Sequence, residues 1–166
     1  MTAGRAPTWP AVTPETSYPW LACRCGPTPP VARVLPVRSL RVTRAAGAEA
    51  IPALRQLSRR WSEGSTLDPE TAEDLVLAVD EAVTNVVDHA YPDRAGAVRL
   101  HLAELDCGEH TVIVEDDGTW RPPPGDPGFR GRGVRLIDGL TDHAVVTHAT
   151  GGTTVIMSWS ARRSLT

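Results

Sequence analysis

The alternation of apolar and polar residues predicts that ordered structure begins near Val34. Between Val34 and Val42 apolar residues (Val37, Leu40, Val42) are interspersed with polar ones, a pattern that suits a strand. From Gly47 to Trp61 the apolar positions recur instead at intervals of three and four residues, which predicts an amphipathic helix that Gly64 ends. A strand followed by a helix therefore opens the folded part of the chain.

The next helix carries the clearest boundary signals in the sequence. Asp68 suits the N-cap and Pro69 the first helical turn, so the helix is expected to begin there. Its apolar side chains fill one broad arc of the helical wheel, and the opposite face carries Glu81 and Asn85. Tyr91, which precedes a proline, ends the helix. The segment thus predicts a long helix with one buried face and one polar face.

The second half of the chain alternates between strands and one short helix. The predicted elements are strands Ala97–Leu105 and Thr111–Glu115, a helix from Gly131 to about Leu140, and strands His143–His148 and Thr153–Trp159. A loop rich in proline and glycine precedes that helix. This order predicts an α+β fold, a two-layer sandwich in which a mixed or antiparallel sheet of about five strands is covered on one face by about three helices.

Domain organisation follows from the length and from the distribution of proline. At 166 residues the chain is expected to form one domain with an appendage. Eight of the 15 prolines precede residue 37, and such a segment buries too little surface to fold alone. We therefore predict a Pro-rich, disordered N-terminal segment at 1–33, one folded domain at 34–160 and a short tail at 161–166.

Charge and composition exclude several classes of protein. The net charge of −3 disfavours binding to nucleic acid or to an anionic membrane through a basic surface. All 17 basic residues other than histidine are arginine, whereas P-loop enzymes, Schiff-base enzymes and eukaryotic-type kinases need a lysine. The chain has neither an apolar run of the roughly 20 residues that a membrane span needs nor a secretory signal. A cytoplasmic location is therefore expected.

Two pairs of residues have candidate chemical roles. Glu81 and Asn85 lie one helical turn apart, so their oxygen atoms can converge on a hard cation and orient a hydroxyl group. A solvated helix face is the alternative for this pair. Asp116 and Gly118 follow an apolar strand, where a carboxylate can accept a hydrogen bond from a ligand's amino group and a glycine lets that ligand approach. A strand-ending turn is the alternative there.

Two glycine-containing segments complete the candidate set. Gly131, Arg132 and Gly133 open a helix after the Pro-rich loop, and a helix N-terminus beside arginines favours an anion. A flexible hinge is the alternative for this segment. Gly152 and Thr153 lie between two strands, where a plain hairpin turn is the alternative. The order of the four segments is more informative than any one of them.

In this order the four segments resemble the sequence boxes of the GHKL (Bergerat-fold) ATPases. The stretch Glu81–Tyr91 resembles the N box, Asp116–Gly118 the G1 box, the segment starting Gly131–Gly133 the G2 box, and Gly152–Thr153 the last box. The resemblance extends from about residue 37 to residue 159. Within this superfamily the chain is similar to small anti-sigma factor serine/threonine kinases of the RsbW type, which have an HATPase_c_2 domain.

The resemblance implies a role for each matching residue in binding ATP and Mg²⁺. Glu81 would be the general base toward a serine hydroxyl or water. Asn85 would bind the nucleotide by coordinating the Mg²⁺ that bridges the ATP phosphates. Asp116 would bind the amino group of adenine, and Gly118 would allow the adenine ring to approach. These four residues would thus cover both ends of the nucleotide.

The resemblance assigns the remaining residues to the same nucleotide. Gly131, Arg132 and Gly133 would admit the phosphates at the start of the helix. The Pro-rich loop before them would be the lid over ATP. Gly152 and Thr153 would support the adenine end.

The resemblance also implies a function, with two alternatives left open. Such proteins are ATP- and Mg²⁺-dependent kinases that bind a sigma factor and phosphorylate a serine on a small anti-anti-sigma protein of the STAS type, often as homodimers. One alternative is a nucleotide-binding module that captures a partner without catalysis, since Trp120 stands where the G1 box usually has a further glycine. The other is a degenerate fold that binds no nucleotide.

Overall fold

The computed structural model of the protein describes residues 36–119, 132–149 and 151–160. Within these ranges the chain forms five strands, three α-helices and one short π-helical turn. No helix in the same ranges is long and apolar enough to cross a membrane. The predicted N-terminal segment at 1–33 and the predicted tail at 161–166 lie outside the described residues.

The strands form one sheet. They are β1 (Pro36–Ala45), β2 (Ala97–Leu105), β3 (His110–Asp116), β4 (His143–Ala149) and β5 (Gly152–Trp159). Their order across the sheet is β1-β2-β3-β5-β4, and every neighbouring pair is antiparallel. The α+β prediction is confirmed, and the sheet is antiparallel throughout the described residues rather than mixed. β5 lies between β3 and β4, which brings the start of β5 beside the end of β3.

Helices cover one face of this sheet. α1 spans Ala50–Glu63, α2 spans Pro69–Asn85 and continues into the π-helical turn Val86–Ala90, and α3 spans Arg132–Leu140. α1 begins three residues later than the sequence predicted, because the carbonyl of Gly47 accepts the N–H of Ala50 at 2.9 Å in a turn that precedes the helix.

The start of α2 agrees with the prediction from its capping residue. Oδ1 of Asp68 accepts the N–H of Thr71 at 3.1 Å, and Oδ2 accepts the hydroxyl of Thr71 at 2.7 Å. Pro69 occupies the first helical position, where its missing N–H leaves no hydrogen bond unmade. Such a cap stabilises a helix by about 1 kcal/mol. Asp68 therefore fixes where α2 begins.

The apolar core lies between the helices and the sheet. Its largest buried side chains include Leu54, Leu75, Val79, Val83, Leu100, Val112, Ile137 and Met157. Burying each such side chain stabilises the fold by about 1.5–3 kcal/mol. Because the apolar face of α2 is used in this contact, its polar face, which carries Glu81 and Asn85, turns toward the start of α3.

Candidate functional site

Glu81 and Asn85 contact each other in the last turn of α2. Both side chains are partly buried, and Nδ2 of Asn85 donates a hydrogen bond to Oε1 of Glu81 at 3.4 Å. Residues four apart lie one above the other on a helix, which is why this contact forms. The bond orients the amide of Asn85 so that its nitrogen is directed to Glu81 and its oxygen, Oδ1, can bind a cation.

The start of α3 lies against this pair. A Cβ atom on Gly133 would overlap Oε1 of Glu81 and would stand 3.0 Å from Nδ2 of Asn85. The first turn of a helix has backbone N–H groups without intrahelical partners, and these favour an anion. Of the predicted glycine segment, Gly133 is the residue that lies against Glu81. Gly131 and the side chain of Arg132 lie outside the described residues.

Asp116 ends β3 and is the buried carboxylate of the site. It is 5% exposed, and its Oδ1 accepts the N–H of Gly118 at 2.7 Å and the N–H of Thr153 at 3.3 Å. Burial raises the pKa of Asp116 above its ordinary value, and the two backbone hydrogen bonds counteract part of that effect. Both hydrogen bonds from the described residues reach Oδ1, so Oδ2 can accept a hydrogen bond from the amino group of a ligand.

Two glycines fix the backbone around Asp116. Gly118 lies against the carbonyl of Ala90, where a Cβ atom would overlap, and the next residue, Thr119, donates its N–H to that carbonyl at 2.9 Å. Gly152 has a φ of 137° and lies against the carbonyl of Asp116, where a Cβ atom would again overlap. Both positions therefore require glycine for protein packing. This requirement is separate from the approach of a ligand that the sequence suggested for Gly118.

Asp117, the next residue, is held by three side chains. Arg99 donates two hydrogen bonds of 2.6 Å to the Asp117 carboxylate, which lowers the pKa of Asp117. The hydroxyl of Tyr91 accepts the N–H of Asp117 at 2.7 Å and donates to the carbonyl of Ala97 at 2.7 Å. Arg94 donates to the carbonyl of Asp117. A network of this kind anchors the turn that follows β3.

Sequence reasoning assigned no role to the side chains of Tyr91 and Arg99. In the sequence, Tyr91 marks the end of a predicted helix and of the segment that resembles the N box, and Arg99 is one position of a predicted strand. A signal was present for Tyr91, because a tyrosine at the end of an apolar helix brings a hydroxyl that needs a partner when its ring is buried. The partners themselves are distant in sequence and could not be named from it.

The other predicted residues differ in what the structure says of them. Thr153 is partly buried, and its hydroxyl lies 3.3 Å from Nδ1 of His148. Trp120 and the rest of the predicted lid as far as residue 130 lie outside the described residues. The described residues of the site meet at the C-terminal end of α2, since Glu81 and Asn85 lie in its last turns and Gly118 contacts the turn that follows.

The oxygen donors of the site suit Mg²⁺ shared with a polyphosphate. Among the described residues there is no group of three or more His, Cys, Asp or Glu side chains that could hold a metal ion. Mg²⁺ typically takes only one or two protein oxygens and completes its shell with water and substrate phosphates. Oδ1 of Asn85 fits that mode of binding, and Glu81 places negative charge nearby.

Comparison with known sequences gives one family and several relatives. The family model of the histidine kinase-like ATPase domain matches residues 45–159. An anti-sigma F factor of Clostridium acetobutylicum is 33% identical over 113 residues, which cover 58% of this chain and 76% of that protein. An anti-sigma F factor of Clostridium novyi is 45% identical over 56 residues, or 32% of this chain and 39% of the relative. Blue-light-activated histidine kinase 2 of Erythrobacter litoralis is 38% identical over 92 residues, or 52% of this chain and 27% of the relative.

Solved structures with a similar fold include relatives of the same kinds. The RsbU and RsbW domains of Rv1364c from Mycobacterium tuberculosis align with a TM-score of 0.61 at 27% identity, covering 76% of this chain and 33% of that one. The histidine kinase domain of the Erythrobacter litoralis EL346 blue-light activated histidine kinase aligns with a TM-score of 0.51 at 25% identity, covering 66% of this chain and 62% of that one.

Proposed function

The chain belongs to the histidine kinase-like ATPase domain family and is an RsbW-like member of the GHKL group, and from this membership we propose that it is an ATP- and Mg²⁺-dependent serine/threonine-protein kinase of the anti-sigma factor type. In this proposal it binds a sigma factor and phosphorylates a small anti-anti-sigma protein of the STAS type. We also propose a cytoplasmic location for this chain.

The observation that carries the proposal is the contact among Glu81, Asn85 and Gly133. It brings a carboxylate, an amide oxygen and the start of a helix to one place. A phosphoryl transfer site needs these three kinds of group: a base near the nucleophile, a ligand for Mg²⁺ and N–H donors for phosphate oxygens. A purely solvated helix face would not require glycine at the facing position of another helix.

Glu81 is proposed as the general base. A serine hydroxyl of the substrate protein attacks the γ-phosphorus of ATP, a bond forms between the serine oxygen and phosphorus, and ADP leaves. Glu81 accepts the proton of that hydroxyl at Oε2, because Asn85 already donates to Oε1. When bound, Mg²⁺ neutralises charge on the phosphates, and Oδ1 of Asn85 would hold it.

Asp116 is proposed to recognise adenine. Its ionised carboxylate accepts a hydrogen bond from the amino group of the base at Oδ2, while Gly118 and Thr153 hold Oδ1. A carboxylate buried in this way gives a strong hydrogen bond to a donor and penalises a base that presents an acceptor instead. Gly131 and Arg132 remain proposed phosphate-binding residues by family resemblance.

The proposal is tested with Glu81→Gln and a matched control. Isothermal titration should give an ATP affinity within about threefold of wild type, while transfer of labelled γ-phosphate to a purified STAS-type protein should fall roughly a hundredfold or more. Asp80→Asn is the control, because Asp80 is the adjacent carboxylate but pairs with Arg55 at 2.7 Å. It should leave transfer intact. Unimpaired transfer by Glu81→Gln would refute the assignment of the base.

A module that binds nucleotide and captures a partner without catalysis is the second candidate. Trp120 favours it, because this bulky residue stands where the G1 box usually has a further glycine. In that case wild type would bind a STAS-type protein in a nucleotide-dependent manner and yield no phosphoprotein. The same transfer assay therefore separates the two functions.

A further inference from the structure

We propose that Tyr91 is a positioning residue that sets the preference of the site for adenine, by fixing the peptide unit between Asp116 and Asp117. The inference rests on the proposed function in one respect, namely that Asp116 binds the amino group of adenine. Tyr91 itself would not touch the nucleotide. Its basis is the hydrogen bonding and packing of Tyr91.

The hydroxyl of Tyr91 joins two segments that are otherwise separate in the chain. It accepts the N–H of Asp117 at 2.7 Å and donates to the carbonyl of Ala97, the first residue of β2, at 2.7 Å. A phenol hydroxyl has one proton to donate, so the donor and acceptor roles are both fixed by these partners. The turn after β3 is thereby tied to the neighbouring strand through one side chain.

The ring of Tyr91 has little freedom to move. A Cβ atom on Gly96 would overlap several ring atoms, which shows that the backbone at residue 96 lies directly against the ring. The guanidinium of Arg94 lies over the ring at 5.2 Å from its centroid, a distance typical of a cation–π contact. With the ring held by Gly96 and Arg94, the position of the hydroxyl is fixed as well.

The peptide unit that Tyr91 holds also determines where the Asp116 carboxylate lies. Its N–H, on Asp117, donates to Tyr91, and its carbonyl, on Asp116, lies against Gly152. The orientation of this unit is set by ψ of Asp116 and φ of Asp117, two of the torsions that relate the Asp116 side chain to the N–H of Gly118, which donates to Oδ1 at 2.7 Å. Tyr91 and Gly152 therefore clamp the unit from its two ends.

Arg99 supports the same turn by a second route. Its two hydrogen bonds of 2.6 Å fix the side chain of Asp117, whereas Tyr91 fixes the backbone of that residue. Planar, bidentate pairing of this kind gives directional restraint as well as attraction. Arg99→Gln should therefore weaken the restraint in the same direction as Tyr91→Phe.

A comparison of ATP with inosine triphosphate isolates the proposed role. The two nucleotides share ribose and phosphates, but inosine triphosphate has a carbonyl where adenine has the amino group. If Oδ2 of Asp116 accepts a hydrogen bond from that amino group, the protein should bind ATP roughly tenfold or more tightly than inosine triphosphate. If Tyr91 acts through Asp116, its loss lowers the affinity for ATP and hardly changes that for inosine triphosphate.

The experiment is isothermal titration of both nucleotides with Mg²⁺ into wild type and Tyr91→Phe. We expect Tyr91→Phe to lower the affinity for ATP about five- to tenfold and the affinity for inosine triphosphate less than about twofold. The preference for ATP therefore falls. Thr66→Val is the control, since it removes a hydroxyl that donates to Glu104 at 2.7 Å. Glu104 lies at the other end of β2, roughly 20 Å from Ala97 at the usual rise per residue. This control should leave the preference unchanged.

Each other outcome has a definite meaning. Equal weakening of both nucleotides by Tyr91→Phe would show a merely structural role and overturn the inference, as would no change in either. Equal binding of the two nucleotides by wild type would also overturn it, while leaving nucleotide binding in place. If wild type binds neither, the proposed function fails and the inference fails with it. Should Tyr91→Phe not fold by circular dichroism, Arg99→Gln decides the question by the same ratio.

Discussion

Gly133 lies against Glu81 so closely that a side chain on residue 133 would overlap the carboxylate oxygen Oε1. The atoms that such a side chain would displace are the far ends of flexible side chains, Glu81 and Asn85, and not backbone. A substitution there would therefore reposition these two groups more readily than it would unfold the protein. A substitution at residue 133 therefore tests the positions of Glu81 and Asn85 separately from the stability of the fold.

Gly133→Ala should impair phosphoryl transfer with little effect on stability. The new methyl group pushes the carboxylate of Glu81 from its position, and small displacements of a general base cost about tenfold to a hundredfold in rate. Gly139→Ala, in the same helix, is the matched control because a Cβ atom there has nothing within 4 Å. Transfer rates and melting temperatures of both variants check the prediction. Equal rates for the two variants would contradict it.

Asp116→Asn should lower ATP affinity and raise stability at neutral pH. Asn keeps an acceptor oxygen for Gly118 and Thr153, so its Nδ2 would face the amino group of adenine, donor against donor, and affinity should fall about tenfold to a hundredfold.

The sign of the stability effect follows from the direction of the pKa shift. Burial raises the pKa of Asp116, so the ionised carboxylate is disfavoured in the folded state above that pKa, and the neutral amide removes this cost. The gain should shrink as the pH falls and wild type becomes protonated. Melting temperatures at pH 7 and pH 3.5, with calorimetric titration of ATP, test both parts. A variant less stable than wild type at pH 7 would count against the burial argument.

Gly152→Ala should destabilise the protein strongly, whereas Gly151→Ala should not. Residue 152 has a φ of 137°, and a Cβ atom there would overlap the carbonyl of Asp116, which is backbone and cannot move aside. Strain of this kind costs about 1–3 kcal/mol, and the overlap adds to it. A Cβ atom on Gly151 has nothing within 4 Å. Urea unfolding of the two variants measures the difference, and similar midpoints would refute the prediction.

Wild type should lose stability as the pH falls from 7 to 5. His110 is 1% exposed, and its burial lowers its pKa, although the Glu104 carboxylate at 3.7 Å partly opposes that effect. The unfolded chain binds a proton near pH 6.5 and the folded protein does not, so each such histidine removes up to about 1.4 kcal/mol per pH unit below that value. His101, whose pKa burial lowers to about 4, contributes in the same direction.

His110→Phe should reduce this pH dependence. Phenylalanine keeps an aromatic ring beside Trp61, whose ring lies 5.7 Å from that of His110 in an edge-on arrangement, and it cannot take up a proton. The part of the pH dependence of the unfolding free energy that His101 causes should persist in the variant. Unfolding free energies at pH 7, 6 and 5 give the two slopes. Identical slopes in wild type and variant would show that His110 does not contribute.

The sequence predicted most of the local structure because its signals act over a few residues. Alternation identified the strands, the three-and-four spacing identified α1 and α2, and the cap at Asp68 fixed the start of α2. Within the described residues the differences lie near the ends of elements, including the π-helical turn Val86–Ala90 in place of the last turn of the predicted helix. α1 begins at Ala50 because a turn at Gly47 uses the N–H of Ala50, and no periodic pattern reports such a turn.

The candidate site was predicted in part. Glu81 and Asn85 share a helix face through their own spacing, so their contact could be expected from the sequence alone. The support of Asp116 could not. Its carboxylate receives an N–H from Thr153, and this contact exists only because β5 inserts between β3 and β4.

What the sequence by itself determined is which segments are helix or strand and which residue types face solvent on each. Only the tertiary structure decided that Gly133 meets Glu81, that Gly152 meets Asp116 and that Tyr91 holds Asp117. The reason is physical: periodicity reflects one buried face at a time, whereas strand order and helix placement depend on how all buried faces fit together in one core. Contacts between distant residues are set by that fit.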